Sequence, residues 1–139
     1  KVNDILTLKT KDGLKHSRVD KMFINTYRAH IRNIFIGVNE GYIAKLKICS
    51  GHFPMNVSVS GRELIIKNFL GEKIPRVCRF DSSVDVKIDG ELIVVKGLDK
   101  EKVGQTAAKI EQTTRITNRD RRIFQDGCFI ILKPGVKDD

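Results

Sequence analysis

The sequence contains no uninterrupted apolar stretch of about 18 residues, the length that a membrane-spanning helix requires. It also has no charged segment followed by an apolar one at its start, which is the pattern of a secretory signal. The 139 residues therefore indicate neither membrane insertion nor secretion. The chain begins with Lys1 rather than methionine, so it is either processed or an N-terminally incomplete copy. We expect an incomplete copy, because the first of the two similar units described below is short of opening strands.

Cysteine is scarce, with three residues at Cys49, Cys78 and Cys128. An odd number of widely spaced cysteines argues against a disulfide framework and favours a reducing compartment. Cys49 and His52 have the C-x-x-H spacing of metal ligands, but a zinc site would also need Cys78 and Cys128 to converge on them. The alternative is that the cysteines are small apolar side chains within strands.

The sequence also lacks a convergent set of catalytic groups. The histidines His16, His30 and His52 have no sequence neighbour that suggests a catalytic pair. Carboxylates such as Asp89 and Asp99 fall at turns or helix starts, where structural roles explain them. The glycines are isolated and form no phosphate-cradling loop. We therefore predict a protein that is not an enzyme, with no cofactor, no metal and no small-molecule substrate.

Acidic residues are too few to balance the basic ones, because 26 Lys and Arg against 17 Asp and Glu give a net charge of +9. Such an excess attracts polyanions without specifying which one, and nucleic acid is the interpretation we favour. Residues 1–50 hold ten basic and four acidic side chains, whereas residues 51–97 are near balance. Four arginines crowd together between Arg115 and Arg122.

Two helices and several strands are indicated by the apolar pattern. Residues 4–10 predict a strand, and the Asp12-Gly13 turn predicts a hairpin into a second strand that ends at Val19. Spacings of three and four residues then predict a helix, followed near its end by Gly37 and Gly41. Its apolar face would be formed by Ile24, Tyr27, Ile31, Ile34, Phe35 and Val38.

From Tyr42 onward the apolar residues recur at every second position, as in strands. Ser60-Gly61 and Asp89-Gly90 predict two hairpin turns. The strands are expected at residues 43–47, 55–59, 63–67, 74–80, 84–88, 91–96 and 128–132. A second helix is expected from about Asp99 to Thr113, with Val103, Ala107, Ile110 and Thr114 on its inner face.

The order strand, Asp-Gly turn, strand, helix occurs twice along the chain, which suggests an internal duplication. We therefore predict an α+β fold of two tandem similar domains, each a small antiparallel sheet packed with one helix. Residues 1–40 would form the first domain, N-terminally incomplete, and residues 41–139 the second.

The loop Lys67-Asn68-Phe69-Leu70-Gly71-Glu72-Lys73 is one candidate binding element. One interpretation is that Phe69 and Leu70 pack into the core and the lysines are merely solvated. The other is that Lys67, Lys73 and backbone groups contact phosphates while Phe69 packs against a sugar or base. Composition alone slightly favours the first interpretation.

The segment Thr113–Phe124 is a second candidate, since it follows the second helix without an obvious period. Its arginines present planar forks of donors that suit phosphate, and Asn118 and threonine hydroxyls add further donors. A run of charge is often only a solvated surface, so the binding and the solvated interpretations are about equally favoured here.

Three strings in this order and spacing resemble the large-subunit ribosomal proteins of the L-six family, known as L-nine in eukaryotic cytosolic ribosomes. They are Gly51-His52-Phe53-Pro54-Met55-Asn56-Val57, Lys67-Asn68-Phe69-Leu70-Gly71-Glu72-Lys73 and Asn118-Arg119-Asp120-Arg121-Arg122-Ile123-Phe124-Gln125-Asp126-Gly127. The resemblance runs from about Leu14 to Ile131. The paired tryptophans usual in the family after Asp20-Lys21 are replaced here by Met22-Phe23.

The resemblance implies two similar domains and docking on large-subunit ribosomal RNA near the sarcin–ricin loop, beside the site where translation factors act. It implies a structural component of cytoplasmic large ribosomal subunits, with ribosomal RNA and neighbouring ribosomal proteins as partners. The RNA-binding residues it implies are Lys45, Lys47, His52, Lys67, Asn68, Phe69, Gly71, Lys73, Arg76, Arg115, Asn118, Arg119, Arg121 and Arg122. Two other hypotheses stay open: a free-standing RNA-binding or regulatory module of similar fold, and a zinc-dependent protein using Cys49 and His52.

Overall fold

A computed structural model describes residues 5–9 and 17–136 of the chain. Helix α1 begins at Arg18 because Ser17 and Asp20 form a reciprocal cap. The Ser17 hydroxyl accepts a hydrogen bond from the Asp20 N–H at 3.1 Å, and the Asp20 carboxylate accepts one from the Ser17 N–H at 2.9 Å. The predicted strand through Val19 is therefore wrong at its end, where the chain is helical. Residues 5–9 have no regular structure, so the predicted first strand is also wrong there, and the turn and the rest of the hairpin fall on residues 10–16, outside the described residues.

Helix α1 spans Arg18–Asn39, which confirms the predicted helix but not its packed face. Tyr27, Ile34 and Phe35 are more than half exposed. The helix instead packs through its C-terminal turns, where Gly37 is buried and a Cβ at that position would collide with the carbonyl oxygen of Leu98. Only the end of α1 therefore rests on the core. Neither helix of the described residues is long and apolar enough to cross a membrane.

The described residues contain seven strands in two antiparallel sheets. The strands are β1 (Tyr42–Cys49), β2 (Asn56–Ser60), β3 (Glu63–Lys67), β4 (Arg76–Arg79), β5 (Val84–Asp89), β6 (Leu92–Gly97) and β7 (Gly127–Gly135), and the second helix is α2 (Lys100–Thr113). The first sheet has the order β5-β6-β1-β7 and the second β2-β3-β4. The α+β class is confirmed, but the region after residue 40 carries two sheets with one helix rather than a single small sheet.

Two predicted hairpins form as the turn residues require. Gly61 and Gly90 have φ angles of +60° and +57°, the left-handed conformation that tight hairpin turns demand. They set the registers of β2 with β3 and of β5 with β6, in which Val59 faces Leu64 and Ile88 faces Ile93. The alternating pattern then buries every second residue of each pair.

Helix α2 covers one face of the first sheet and joins it to the second. Val103, Ala107 and Ile110 are completely buried, and Thr114 is 4% exposed, so the predicted inner face is confirmed. Both sheets contribute to one apolar cluster with this helix. Its completely buried strand residues are Ala44, Leu46, Leu64, Ile66, Ile93, Val95 and Cys128.

The outer edge of β7 is covered by α2 and the residue that follows it. The Cys128 N–H donates a hydrogen bond to the Thr114 hydroxyl at 2.9 Å, and the Ile130 N–H donates one to the Glu111 carboxylate at 3.2 Å. Farther along the strand, Pro134 has no N–H and lies against Gly104. Side chains of the helical segment thus take up backbone donors that an edge strand would otherwise present.

Candidate nucleic-acid interface

The loop between β3 and β4 has a tightly specified backbone. Residues Phe69–Gly71 form a 3-10 turn, and Asn68, Leu70 and Gly71 have φ angles of 59°, 49° and 78°. The Asn68 side-chain amide donates a hydrogen bond to the Pro54 carbonyl at 3.1 Å, which ties the loop to the segment before β2. The loop is therefore a defined surface feature.

Burial separates the loop residues into two groups. Phe69 and Leu70 are 1% and 7% exposed, so their side chains belong to the core. The expectation that Phe69 packs against a sugar or base is wrong, because the aromatic ring is enclosed by protein. The other predicted binding residues of the loop are exposed, namely Lys67, Asn68, Gly71 and Lys73.

Arg76 is engaged with protein groups on two sides. Its Nε and Nη2 atoms donate to the two carboxylate oxygens of Glu72 at 2.8 and 2.6 Å. Its Nη1 donates to the carbonyls of Thr113 and Arg115 at 2.8 and 3.2 Å. The guanidinium also lies 4.3 Å from the centre of the Phe69 ring. Arg76 thus links the loop to the end of α2, and a direct contact of Arg76 with RNA stays a prediction.

The pKa of the Glu72 carboxyl is affected by Arg76 on β4 and by Arg119 in the second segment. The hydrogen bond from Arg76 holds the pKa of the Glu72 carboxyl below its ordinary value of 4.5. Burial opposes this effect, and the positive charges of Arg76 and Arg119 reinforce it. The adjacency of the two candidate segments is shown by the bonds of Arg76 to Glu72 and to the carbonyls of Thr113 and Arg115.

The arginines of the second segment differ in how far they are engaged. Arg122 pairs with Asp120 at 2.8 Å, so part of its charge is neutralised within the segment. The same hydrogen bond lowers the pKa of Asp120 and raises that of Arg122. The Arg119 guanidinium lies 5.0 Å from the centre of the Phe124 ring. Arg115 and Arg121 are exposed, and their side chains make no ion pair within the described residues.

Asn118 lies in the same turn, where it is exposed and has a φ of 57°. Asparagine tolerates this left-handed conformation better than most residues, which accounts for its place in the turn. The exposed amide makes no hydrogen bond within the described part of the chain, so it faces solvent beside the arginines.

His52 is held by a buried carboxylate. The Asp126 side chain is completely buried and accepts hydrogen bonds from the N–H groups of Gly51 and His52 at 2.8 and 3.3 Å. The His52 Nδ1 atom lies 3.3 Å from the Asp126 Oδ1 atom, and the imidazole stacks on Phe124 with 4.9 Å between ring centres. Burial raises the pKa of Asp126, but these hydrogen bonds outweigh burial and leave the pKa below its ordinary value.

Lys45 and Lys47 project from β1 on the face opposite α2, since the alternating residues Ala44 and Leu46 are buried. Lys45 is half-buried between β6 and β7, opposite Val94 and Leu132, whereas Lys47 is exposed. Only Lys47 is therefore well presented to a partner.

A cleft of about 990 Å³ brings four of the predicted residues together. It lies between the end of β1, the end of α2 and the segment before β7. The predicted binding residues that line it are Lys47, His52, Arg115 and Arg121. The exposed loop residues are not among its lining and form a separate part of the surface.

The cysteines and His52 form no metal site. Within residues 5–9 and 17–136, no group of three or more histidine, cysteine or acidic residues is placed to hold a metal ion. Cys78 is buried on β4 in the second sheet, while Cys128 lies on β7. Burial raises the pKa of the Cys128 thiol to about 12, which suits an apolar core residue rather than a thiolate ligand.

Three residues that position the site did not emerge from the sequence: Glu72, Phe124 and Asp126. Each lies inside a string quoted above, but none is among the residues that the resemblance implied for RNA binding. Asp126 offered one signal, since a carboxylate directly before a buried apolar strand requires hydrogen-bond partners.

The model of the family described as "Ribosomal protein L6" matches residues 53–127, which is more than half of the chain. The chain belongs to the ribosomal protein L6 family. The match covers the exposed loop at residues 67–73, the whole arginine segment at residues 113–124 and Asp126, whose carboxylate holds His52. Since this is a family of ribosomal proteins and not of enzymes, membership confirms the predicted family and the prediction that the chain is not an enzyme.

Three similar relatives each bear the name "Large ribosomal subunit protein uL6". The relative from Methanococcus vannielii is 53% identical over 112 residues, which cover 81% of this chain and 62% of that protein. Those from Methanosarcina mazei and Haloarcula marismortui are 48% and 51% identical, covering 88% and 83% of this chain and 69% and 65% of theirs. The chain thus spans about two thirds of the length of these relatives.

Proposed function

We propose that the chain is a structural component of the large ribosomal subunit that binds large-subunit ribosomal RNA. The observation that carries this proposal is the link made by Arg76. Because Arg76 bonds to Glu72 in the loop and to carbonyls at the end of α2, the exposed loop and the arginine segment are fixed beside one another. Family membership and the names of the relatives support the same partner.

The exposed cations on this surface are suited to phosphate. Lys67 and Lys73 flank the loop, and Arg115 and Arg121 lie in the neighbouring segment, all exposed and without an ion pair in the described part of the chain. An RNA strand that crosses both segments would exchange its counterions for these side chains. Asn68, Gly71, Asn118, Arg119 and Arg122 would supply hydrogen bonds around them.

Two groups of predicted residues have different parts in this proposal. Phe69 and Arg76 hold the surface in shape from beneath it. Lys47 and His52 extend the surface into the cleft, and the half-buried Lys45 adds positive charge behind it. The binding surface is thus formed by loops on a rigid double-sheet scaffold.

The same proposal includes a location, which comes from the family resemblance. The chain would lie in cytoplasmic ribosomes, near the sarcin–ricin loop and the translation-factor site, beside neighbouring ribosomal proteins. The division of the chain into residues 1–40 and 41–139 is also proposed. The small share of α1 that packs on the core supports this boundary, since only its last turns are covered.

The test replaces two exposed arginines and follows assembly. Arg121→Ala with Arg122→Ala should lower the fraction of the protein that co-sediments with large subunits, because two phosphate ligands are lost. The matched control is Lys87→Ala with Lys96→Ala, two exposed cations on β5 and β6 of the first sheet. Far-ultraviolet circular dichroism of each variant would check that the fold is retained.

Normal incorporation of the arginine double variant would contradict the proposed surface. If the unaltered protein binds RNA but never migrates with large subunits, the free-standing RNA-binding module becomes the better account. Loss of incorporation in both double variants would indicate that total charge matters rather than this surface.

A further inference from the structure

The cleft beside the exposed loop has the size of a small-molecule site. Its volume of about 990 Å³ lies at the upper end of the range, about 300–1,000 Å³, in which protein pockets enclose most of a small ligand. The cleft is more than a gap between charged side chains, since its lining combines aromatic, aliphatic, amide and charged groups. Representative lining residues are Ile48, Gln112, Ile123, Phe124, Gln125 and Phe129.

One wall of the cleft carries a preformed stack. His52 lies on Phe124, with 4.9 Å between ring centres and 28° between planes, and the Arg119 guanidinium lies 5.0 Å from the centre of the same phenyl ring. Asp126 fixes His52 from behind through contacts to its ring and its backbone. Although Phe124 covers part of the imidazole, 37% of the His52 side chain stays exposed in the cleft that it lines. A flat aromatic ligand can extend this stack at no cost in side-chain ordering.

The charges in the cleft match a nucleotide better than a phosphate backbone alone. Lys47, Arg115 and Arg121 offer donors to phosphate, but Glu91 and Glu111 line the same cleft. Carboxylates repel phosphate and accept hydrogen bonds from the exocyclic amino groups of bases. A base inside the cleft with its phosphates toward the arginines satisfies both kinds of group.

We propose that the cleft receives the base of one unpaired RNA nucleotide, which stacks on His52 while Arg115 and Arg121 hold its flanking phosphates. This inference rests on the proposed function. Bases within a duplex are already paired and stacked, so only a nucleotide from a loop, bulge or end can enter. The exposed loop would hold the RNA backbone, and the cleft would determine which nucleotide of the strand lies at this position.

The test uses the full chain bound to protein-free large-subunit ribosomal RNA, with two chemical footprints. Hydroxyl radicals report protection of the backbone, and dimethyl sulfate with a carbodiimide reports protection of unpaired bases. We expect the unaltered protein to protect both a stretch of backbone and at least one unpaired base. Ile123→Asp should abolish the base protection, because the base loses an apolar side chain of the cleft against which it would pack. Ile123 is 61% exposed, so we expect the substitution to leave the core intact.

His52→Ala is the second variant, and Lys87→Ala is the matched control outside the cleft. Loss of one base stack corresponds to roughly a five- to hundredfold loss of affinity, from about 1–3 kcal/mol per stacked base. The control should keep both footprints and the original affinity. Arg121→Gln should weaken binding and retain base protection, since the stacking wall is intact.

Each outcome decides between the two proposals. Backbone protection without any protected unpaired base, or base protection that survives both Ile123→Asp and His52→Ala, would overturn the cleft proposal and leave the proposed function standing. Absence of any footprint from the unaltered protein would overturn both.

Discussion

The guanidinium of Arg76 holds both carboxylate oxygens of Glu72, at 2.8 and 2.6 Å, and at the same time donates to the Thr113 carbonyl at the end of α2. Glu72 belongs to the exposed loop, and Thr113 is the last residue of α2 and the first of the arginine segment. One partly buried side chain therefore sets the distance between two parts of the surface that belong to different regions of the sequence. Its importance can be measured separately from that of the residues it positions.

Arg76→Lys should lower the free energy of unfolding by about 1–3 kcal/mol, because an ammonium cannot reproduce the two-pronged bond to Glu72 and the cap on α2. Urea denaturation would measure the change. Arg79→Lys is the control, since Arg79 pairs with Glu63 at 2.7 Å but is 84% exposed. Its effect should stay within about 1 kcal/mol. Equal losses of stability in the two variants would contradict the linking role of Arg76.

The salt dependence of RNA binding should distinguish phosphate ligands from positioning residues. Lys67→Ala and Arg121→Ala should each reduce the slope of log affinity against log salt by about 0.7–0.9. Arg76→Gln should lower the affinity at every salt concentration without changing the slope, because Arg76 neutralises Glu72 rather than a phosphate. Filter binding across a salt series would give the slopes. A reduced slope for Arg76→Gln would show that Arg76 contacts RNA.

Phe69→Ala should act on folding and not through a lost RNA contact. The ring is 1% exposed, so its removal leaves a cavity that costs about 3–5 kcal/mol. Phe53→Ala is the comparison, because Phe53 is 44% exposed and should cost far less. Thermal unfolding would measure both. A stable Phe69→Ala protein with weakened RNA binding would restore the interpretation in which the ring contacts a nucleotide.

Asp126 should make the stability of the chain depend on acid pH. Its pKa in the folded protein lies below the ordinary value of 3.8, so its carboxylate stabilises the fold at pH above that value. The contribution is lost as the pH falls through the lower pKa of the folded state. Asp126→Asn should therefore be less stable than the unaltered protein at pH 7, by about 1–3 kcal/mol, and the difference should shrink below pH 3.8.

Asp81→Asn provides the contrast, since Lys102 holds the pKa of the exposed Asp81 carboxyl at about 2. High salt should remove the effect of Asp81 and leave that of the buried Asp126. Denaturation curves at several pH values, each at low and high salt, would separate the two carboxylates. A salt-sensitive Asp126 effect would contradict its burial.

Gly71→Ala should destabilise the chain by about 1–2 kcal/mol, because an alanine at a φ of +78° is strained. It should also weaken RNA binding, since the strain shifts the exposed loop. Gly61→Ala carries similar backbone strain at a φ of +60° in a hairpin turn away from the proposed surface. It should lose similar stability and keep its affinity. Equal RNA affinities of the two variants would mean that RNA binding does not depend on the loop conformation.

Local patterns in the sequence were sufficient for most elements. Asp89-Gly90 predicted its hairpin because few residues adopt the turn conformation, and the spacing of Val103, Ala107 and Ile110 predicted the buried face of α2. The start of α1 was also readable from Ser17 and Asp20, which have capping-box spacing, but the interpretation followed the apolar run and placed a strand there.

The roles of individual side chains and the position of the cleft depend on contacts between residues that are distant in the sequence. Arg76 appeared as one more cation, and only its approach to Thr113, 37 residues away, shows that its donors are occupied. Phe69 stood beside lysines in a loop, and its burial depends on where the second sheet meets the core. The cleft brings together residues from Lys47 to Phe129, so no local pattern indicates it.

The bonds from Cys128 and Ile130 of β7 to Thr114 and Glu111 also bear on self-association. A nine-residue terminal strand with exposed Phe129 and Ile131 would be a template on which a second chain adds its own strand. The N–H groups of Cys128 and Ile130 are already hydrogen-bonded, and Pro134 has no N–H. A second chain would therefore find few free backbone donors on this edge. The occupied edge of β7 thereby protects the chain against aggregation by strand addition.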